Sequence, residues 1–136
     1  KVLAGGKRVQ NEIAHGTNFY APTILGDATE DMVIFSEETF GPVMPLIRFE
    51  DEDAVIAQAN NTSYGLASYF YTTDMKRVER VSGILEAGII GINVGAAASP
   101  WAPVGGTKAS GYGREGSHYG IEDYMHIKYM CQGELA

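Results

Sequence analysis

The chain has 136 residues with 10 Lys and Arg against 17 Asp and Glu, a formal net charge of −7, and 45% of its residues are hydrophobic. That length suits one domain, and the hydrophobic content is that of a globular protein rather than a disordered acidic chain. The acidic balance speaks against nucleic acid and anionic membrane surfaces as partners, and no apolar run reaches the roughly 18 residues that span a bilayer.

Residues 19–25 read as a short strand that Pro22 makes irregular or confines to an edge. Residues 43–49 form a second strand, imperfect at Pro45. The acidic run Glu50, Asp51, Glu52 and Asp53 has two readings, a cation site or the first turn of a helix. The second is favoured, because carboxylates stabilise the free N–H groups and dipole at a helix start. The helix then runs over 54–60 with Val55, Ile56 and Ala59 on one face. Residues 66–71 read as a strand. Thr73 or Asp74 caps a helix reaching to about Ala87, with Val78, Val81 and Leu85 along its apolar side. Gly88 stands where a left-handed C-terminal cap belongs. Residues 89–94 are a continuous apolar strand, as in the middle of a parallel sheet. This strand–helix alternation predicts an α/β fold, a parallel sheet with flanking helices.

Residues 95–113 show no periodicity, and a loop of that length inside a compact domain is usually functional. A helix is expected from Arg114 and Glu115 to about Asp123. The tail then alternates: Met125, Ile127, Tyr129 and Cys131 share one face of a strand over 124–131. That strand has no evident partner in the chain, and an uncovered apolar strand is a liability. Pairing with another subunit, or with a further part of the same chain, is the expectation.

Ten of the 17 glycines fall between Gly83 and Gly120, which marks a specialised backbone there. Gly111, Gly113 and Gly116 match the G-x-G-x-x-G dinucleotide pattern by letter but not by context, since Lys108, Ala109 and Ser110 precede it instead of a buried strand. Cys131 lacks a neighbouring His or helix start to lower its pKa, so a packed or incidental thiol is favoured over a nucleophile. A single Cys excludes an intrachain disulfide and a cysteine-rich zinc site, and fits a reducing, cytoplasmic compartment. His15, His118 and His126 have no metal-ligand spacing, so no metal site is expected. Two carboxylates stand apart. Glu38, before Phe40, Gly41 and Pro42, is equally consistent with binding sugar hydroxyls and with capping a turn. Glu115, after the glycine loop, is either structural or a proton acceptor.

The segment Glu37-Glu38-Thr39-Phe40-Gly41-Pro42 resembles the Glu-x-Phe-Gly-Pro motif of the aldehyde dehydrogenase superfamily. Residues 105–115, Gly-Gly-Thr-Lys-Ala-Ser-Gly-Tyr-Gly-Arg-Glu, resemble its Gly-Gly-x-Lys-x-Ser-Gly-x-Gly-Arg-Glu segment, and Asn93 fits the end of its Gly-x-x-x-x-Asn strand. The resemblance covers essentially the whole chain. Within the superfamily the tail is most similar to bacterial succinate-semialdehyde dehydrogenases.

The resemblance implies NAD(P)-dependent oxidation of an aldehyde, a semialdehyde such as succinate semialdehyde, to the acid. A Cys thiolate attacks the aldehyde, hydride passes to the nicotinamide, and a Glu-activated water hydrolyses the thioester. Glu38 would hold the nicotinamide ribose and Phe40 would pack near the nicotinamide. Glu115 would serve a secondary proton relay. Asn93, Ala98 and Val104 would lie on the substrate side, the last two lining the aldehyde entrance. Residues 1–123 would be the C-terminal half of the catalytic domain, and 124–136 an oligomerisation strand and tail joining a homo-oligomer. The family's nucleophilic Cys, general-base Glu, Rossmann domain and carboxylate-binding Arg residues belong upstream of this stretch. Succinate-semialdehyde dehydrogenases also carry Ser at the position of Ala98, one residue from Ser99, and an aromatic at that of Val104. With Lys1 in place of an initiator Met, the expectation is an inactive C-terminal piece of a larger enzyme. The alternative is a stand-alone module of the same fold that binds or assembles without catalysis.

Overall fold

The computed structural model describes residues 1–9 and 18–134. The chain divides into two compact units, residues 1–52 and 53–136. In the first, β1 (Val2–Ala4) pairs antiparallel with β2 (Thr23–Leu25), and β2 pairs in parallel with β3 (Val43–Pro45). The expected strand over 19–25 is shortened to its second half. Pro22 offers no N–H to a ladder, and only Tyr20 before it makes a bridge, to Arg8. β3 likewise stops at Pro45, four residues short of the expected end, although Leu46 N still donates to Leu25 O at 2.7 Å. A four-residue helix, α1 (Val33–Ser36), lies between β2 and β3.

Thr23 is buried and its hydroxyl is fully used, donating to Ala21 O at 2.8 Å and accepting from Gly6 N at 2.9 Å. A buried hydroxyl without those partners would be destabilising. Among the described residues of this unit, Ala28 is the buried apolar side chain.

The second unit holds all but the first residue of α2 (Glu52–Asn60) and a strand–helix–strand unit: β4 (Ala67–Phe70), α3 (Met75–Ile84) and β5 (Ile89–Ile92). The acidic run does open α2, which begins at Glu52. β4 and β5 pair in parallel with Ala67 opposite Ile89 and Phe70 opposite Ile92. Gly91 lies under Tyr69, whose ring a Cβ at position 91 would meet at 2.2 Å. Ile56 and Val81 form the buried apolar core, Val81 from the predicted stripe of α3. Asp74 is the helix cap, accepting from Lys76 N at 2.9 Å.

The end of α3 differs from expectation. The helix stops at Ile84, and its C-cap is Leu85 in an extended conformation, not Gly88. Gly88 is glycine for another reason: a Cβ there would lie 1.8 Å from Gly105 O.

One further expectation is corrected. The segment from Arg114 is not helical at its start. Glu115 lies in an isolated antiparallel bridge with Val104, and only Tyr119–Tyr124 coils, as a 3-10 turn. Positive φ at Gly113, Gly116 and Ser117 (77°, 67° and 51°) breaks helical continuity there. Residues 125–134 pair with none of the strands β1–β5. The tail's apolar side chains are bare: Tyr124, Ile127, Tyr129 and Met130 are all strongly exposed. No helix among the described residues is long and apolar enough to cross a membrane.

Candidate functional site

The second unit gathers its site around the glycine loop. Gly65 O accepts from Gly88 N at 3.0 Å and from Thr107 N at 2.9 Å, which joins the start of β4 to the loop. Gly65 N donates to Ser110 Oγ at 2.9 Å, and Ala109 N donates to Ser63 O at 2.9 Å. Lys108 opens a short 3-10 turn, Lys108–Ser110, with φ at 54°. Its Nζ reaches across to Asn60 O at 2.7 Å, Thr62 O at 3.2 Å and the Glu86 carboxylate at 2.6 Å. One ammonium thereby ties the end of α2 and the loop after α3 to the glycine segment. Arg114 adds a second cation inside the segment, donating from Nη1 to Gly106 O at 2.9 Å and Gly113 O at 2.6 Å.

These anchors lead to the pair Val104 and Glu115, whose backbones exchange two hydrogen bonds, Val104 N to Glu115 O at 2.8 Å and Glu115 N to Val104 O at 2.7 Å. Glu115 and Val104 line an open concavity of about 310 Å³ together with Ala98, Ser99, Pro100 and Gly116. Three residues singled out in the sequence, Ala98, Val104 and Glu115, thus converge on one surface. The Glu115 side chain is exposed and makes no hydrogen bond or ion pair with the described residues. Its carboxylate is available to a ligand or to water. A broader depression of about 850 Å³ adjoins it, lined by Arg114, Ser110, Asp123 and Tyr124 among others.

Asn93 stands outside both concavities. It follows β5 with φ at 55°, its Oδ1 accepts from Thr72 N at 2.8 Å, and its Nδ2 donates to Thr72 O at 2.8 Å. The carboxamide mimics a strand neighbour and closes the end of the β4–β5 pair.

Glu38 and Phe40 belong to the first unit, on the exposed turn between α1 and β3. Gly41 N donates to Thr39 O at 2.8 Å, which tightens the turn beneath Phe40. The Phe40 ring is 98% exposed. Glu38 has no partner among the described residues, so it is a free acceptor for hydroxyl donors beside a free aromatic face. Such a pair suits a ribose and a planar ring.

Cys131 is exposed on the tail. The His118 and Tyr119 rings meet at a tilt of 38° with centroids 3.9 Å apart. His15 falls outside the described residues. No group of three His, Cys, Asp or Glu able to hold a metal occurs among the described residues.

Sequence reasoning missed Ser99, Pro100 and Gly116 as wall residues and Lys108 as an anchor. The available signal was a lone lysine inside the glycine-rich run, between Gly105-Gly106 and Ser110-Gly111.

The aldehyde dehydrogenase family model matches residues 1–130, and the chain belongs to that family. Over 133 residues it is 56% identical to the NADP-dependent succinate-semialdehyde dehydrogenase of Escherichia coli, covering 98% of this chain and 27% of that protein. It is 56% identical over 131 residues to the glutarate-semialdehyde dehydrogenase of Pseudomonas putida, covering 96% of this chain and 26% of that protein. A crystal structure of an Escherichia coli NADP-dependent enzyme superposes with a TM-score of 0.91 at 57% identity, over 98% of this chain and 27% of that one. The chain therefore spans about a quarter of the length of these relatives.

Proposed function

We propose that this chain is the C-terminal part of an NAD(P)-dependent semialdehyde dehydrogenase acting on succinate semialdehyde or a close homologue. The observation that carries the reading is the convergence of Ala98, Val104 and Glu115 on one concavity, in a chain of the aldehyde dehydrogenase family. The overall change is aldehyde plus water plus NAD(P)+ to carboxylate, NAD(P)H and two protons.

Bound NAD(P) supplies the hydride acceptor. On this chain, Glu38 would accept hydrogen bonds from the nicotinamide ribose, and Phe40 would offer its ring to the nicotinamide. Ala98 and Val104 form the wall past which the aldehyde enters. Asn93, outside both concavities, holds the end of the β4–β5 pair through Thr72 and leaves one amide N–H uncommitted. Glu115 carries protons away as water is consumed, a task suited to an unpartnered carboxylate at the rim of the concavity.

The nucleophilic thiol and the main base lie on parts of the enzyme outside these residues. Cys131, on the exposed tail with no His beside it, does not take that role. Residues 1–123 belong to the catalytic domain. Within the strand and tail of 124–136, residues 124–131 add a strand to a neighbouring subunit of a homo-oligomer, which accounts for the bare Tyr124, Ile127 and Tyr129. A free exposed thiol suits the reducing cytoplasm, where we place the enzyme.

The test is a steady-state assay of the full-length enzyme and of residues 1–136 alone, with succinic semialdehyde and either NAD+ or NADP+. Reduction of cofactor by the full-length enzyme and none by the isolated chain is the expected result. Turnover by the isolated chain, or none by the full enzyme on any semialdehyde, overturns the reading.

A further inference from the structure

We propose that Gly116 and Ser117 are positioning residues that set the width of the aldehyde entrance and hence the length of aldehyde the enzyme selects. The inference rests on the function proposed above and deepens it.

The entrance loop, residues 98–104, is held less by its own side chains than by the backbone of residues 115–117. At one end Val104 exchanges two hydrogen bonds with Glu115. At the other, Ser117 N donates to Pro100 O at 3.1 Å. Within the loop itself two bonds form, both to Ser99: Ala102 N to Ser99 O at 3.1 Å and Trp101 N to Ser99 Oγ at 3.3 Å. Gly116 sits between the two ties with φ at 67°, and a Cβ there would press on Ala102 O at 3.2 Å and Pro100 O at 3.4 Å. Ser117 is also left-handed, at 51°, and its Oγ accepts from Tyr119 N at 3.2 Å. That local bond holds Ser117 in a conformation few non-glycine residues adopt. The loop therefore sits at a distance fixed by two consecutive left-handed residues. Ala98 and Val104, the side chains that meet the aldehyde, move with it.

Small displacements matter here. Two relatives, each 56% identical to this chain, are named for semialdehydes that differ by one methylene. One methylene in an apolar pocket is discriminated by about 10- to 200-fold, and misplacement by a fraction of an ångström erodes such ratios.

The test uses the full-length holoenzyme and the ratio of kcat/KM for succinic over glutaric semialdehyde. Because both aldehydes undergo the same chemistry, the ratio cancels a general loss of activity. In Gly116→Ala the new methyl pushes Pro100 and Ala102, and the ratio is expected to change by about threefold or more. A loss shared equally by the two aldehydes marks a merely structural role and overturns the proposal. Should Gly116→Ala fail to fold, Ser117→Gly is read instead. It keeps the N–H and tolerates the φ but loosens the turn, so the ratio moves toward one; an unchanged ratio overturns the proposal. An unsubstituted enzyme that oxidises neither semialdehyde defeats the underlying function, a result distinct from an active enzyme with an insensitive ratio.

Discussion

Asn93 grips the backbone of Thr72 with both ends of its carboxamide, at 2.8 Å each, while holding φ at 55°. The bond pair continues the β4–β5 ladder past the point where main-chain pairing ends. Replacing Asn93 by Ala removes both bonds and leaves a left-handed residue with no compensation, a loss of about 1–3 kcal/mol in denaturant unfolding. Asn93→Gly loses the same bonds without the conformational penalty. It should be about 1 kcal/mol more stable than Asn93→Ala, and equal stabilities would remove the strain argument.

Gly88 and Gly83 predict opposite signs. A Cβ at Gly88 would fall 1.8 Å from the Gly105 carbonyl, a backbone atom that cannot step aside cheaply. Gly88→Ala should cost about 3 kcal/mol or more, or yield no folded protein. Gly83, inside α3, has nothing within 4 Å of its would-be Cβ. Gly83→Ala should stabilise by about 0.5–1 kcal/mol through lower chain entropy in the unfolded state. Thermal unfolding of the two variants side by side checks both claims.

Lys108 should act through the carbonyls of Asn60 and Thr62 more than through Glu86. The Glu86 side chain is 56% exposed, so water screens that ion pair and limits it to less than about 1 kcal/mol. Lys108→Met, which loses all three contacts, should cost about 1–3 kcal/mol. Glu86→Gln should cost much less, and a double-mutant cycle should return a small coupling energy. A coupling as large as the whole Lys108→Met effect would reverse the ranking.

Asp31 offers a titration test. The Thr29 hydroxyl donates to its carboxylate and, with a backbone bond, holds its pKa below the usual carboxylate value. A depressed folded-state pKa stabilises the fold above the unfolded pKa, and that contribution disappears as the pH falls through the folded pKa. Thr29→Val removes the hydroxyl and should let the Asp31 titration, followed by NMR, rise toward the ordinary value. An unmoved titration would assign the depression to the backbone alone.

What was legible in the sequence was local. The Asp74 cap, the Val81 stripe and the β4–α3–β5 unit follow from neighbouring residues and emerged nearly as read. What was hidden depends on partners distant in the chain. β1 exists because Val2–Ala4 meets β2 some twenty residues later, and nothing in its three residues announces it. Glu115 looked like a helix start because an acid follows a glycine loop, but its N–H and C=O are taken by Val104. Gly88 looked like a cap because it follows a helix, yet the constraint on it comes from Gly105. The tail alternates like a strand, but alternation cannot supply a neighbour. Glu115 stood out by its place after the glycine loop, Ala98 and Val104 were named through family resemblance, and the convergence of the three required the loop to fold back on itself.

Glu38 supplies the last prediction, to be measured in the full-length enzyme. An ionised carboxylate accepting from ribose hydroxyls forms charge-assisted bonds about twice as strong as neutral ones. Glu38→Gln keeps the shape and an acceptor oxygen but loses the charge. The expected result is a rise of roughly tenfold in the cofactor KM, or a comparable fall in kcat as the nicotinamide is held less well. An aldehyde deuterated at its carbonyl carbon separates these outcomes. If cofactor positioning has become limiting, the primary isotope effect on kcat grows, because hydride transfer is then the slow step. Phe40→Leu should act in the same direction more weakly, since it removes a ring face and no charge. A Glu38→Gln enzyme with kcat, cofactor KM and isotope effect all unchanged would take the ribose contact away from Glu38 and leave that carboxylate as a turn residue.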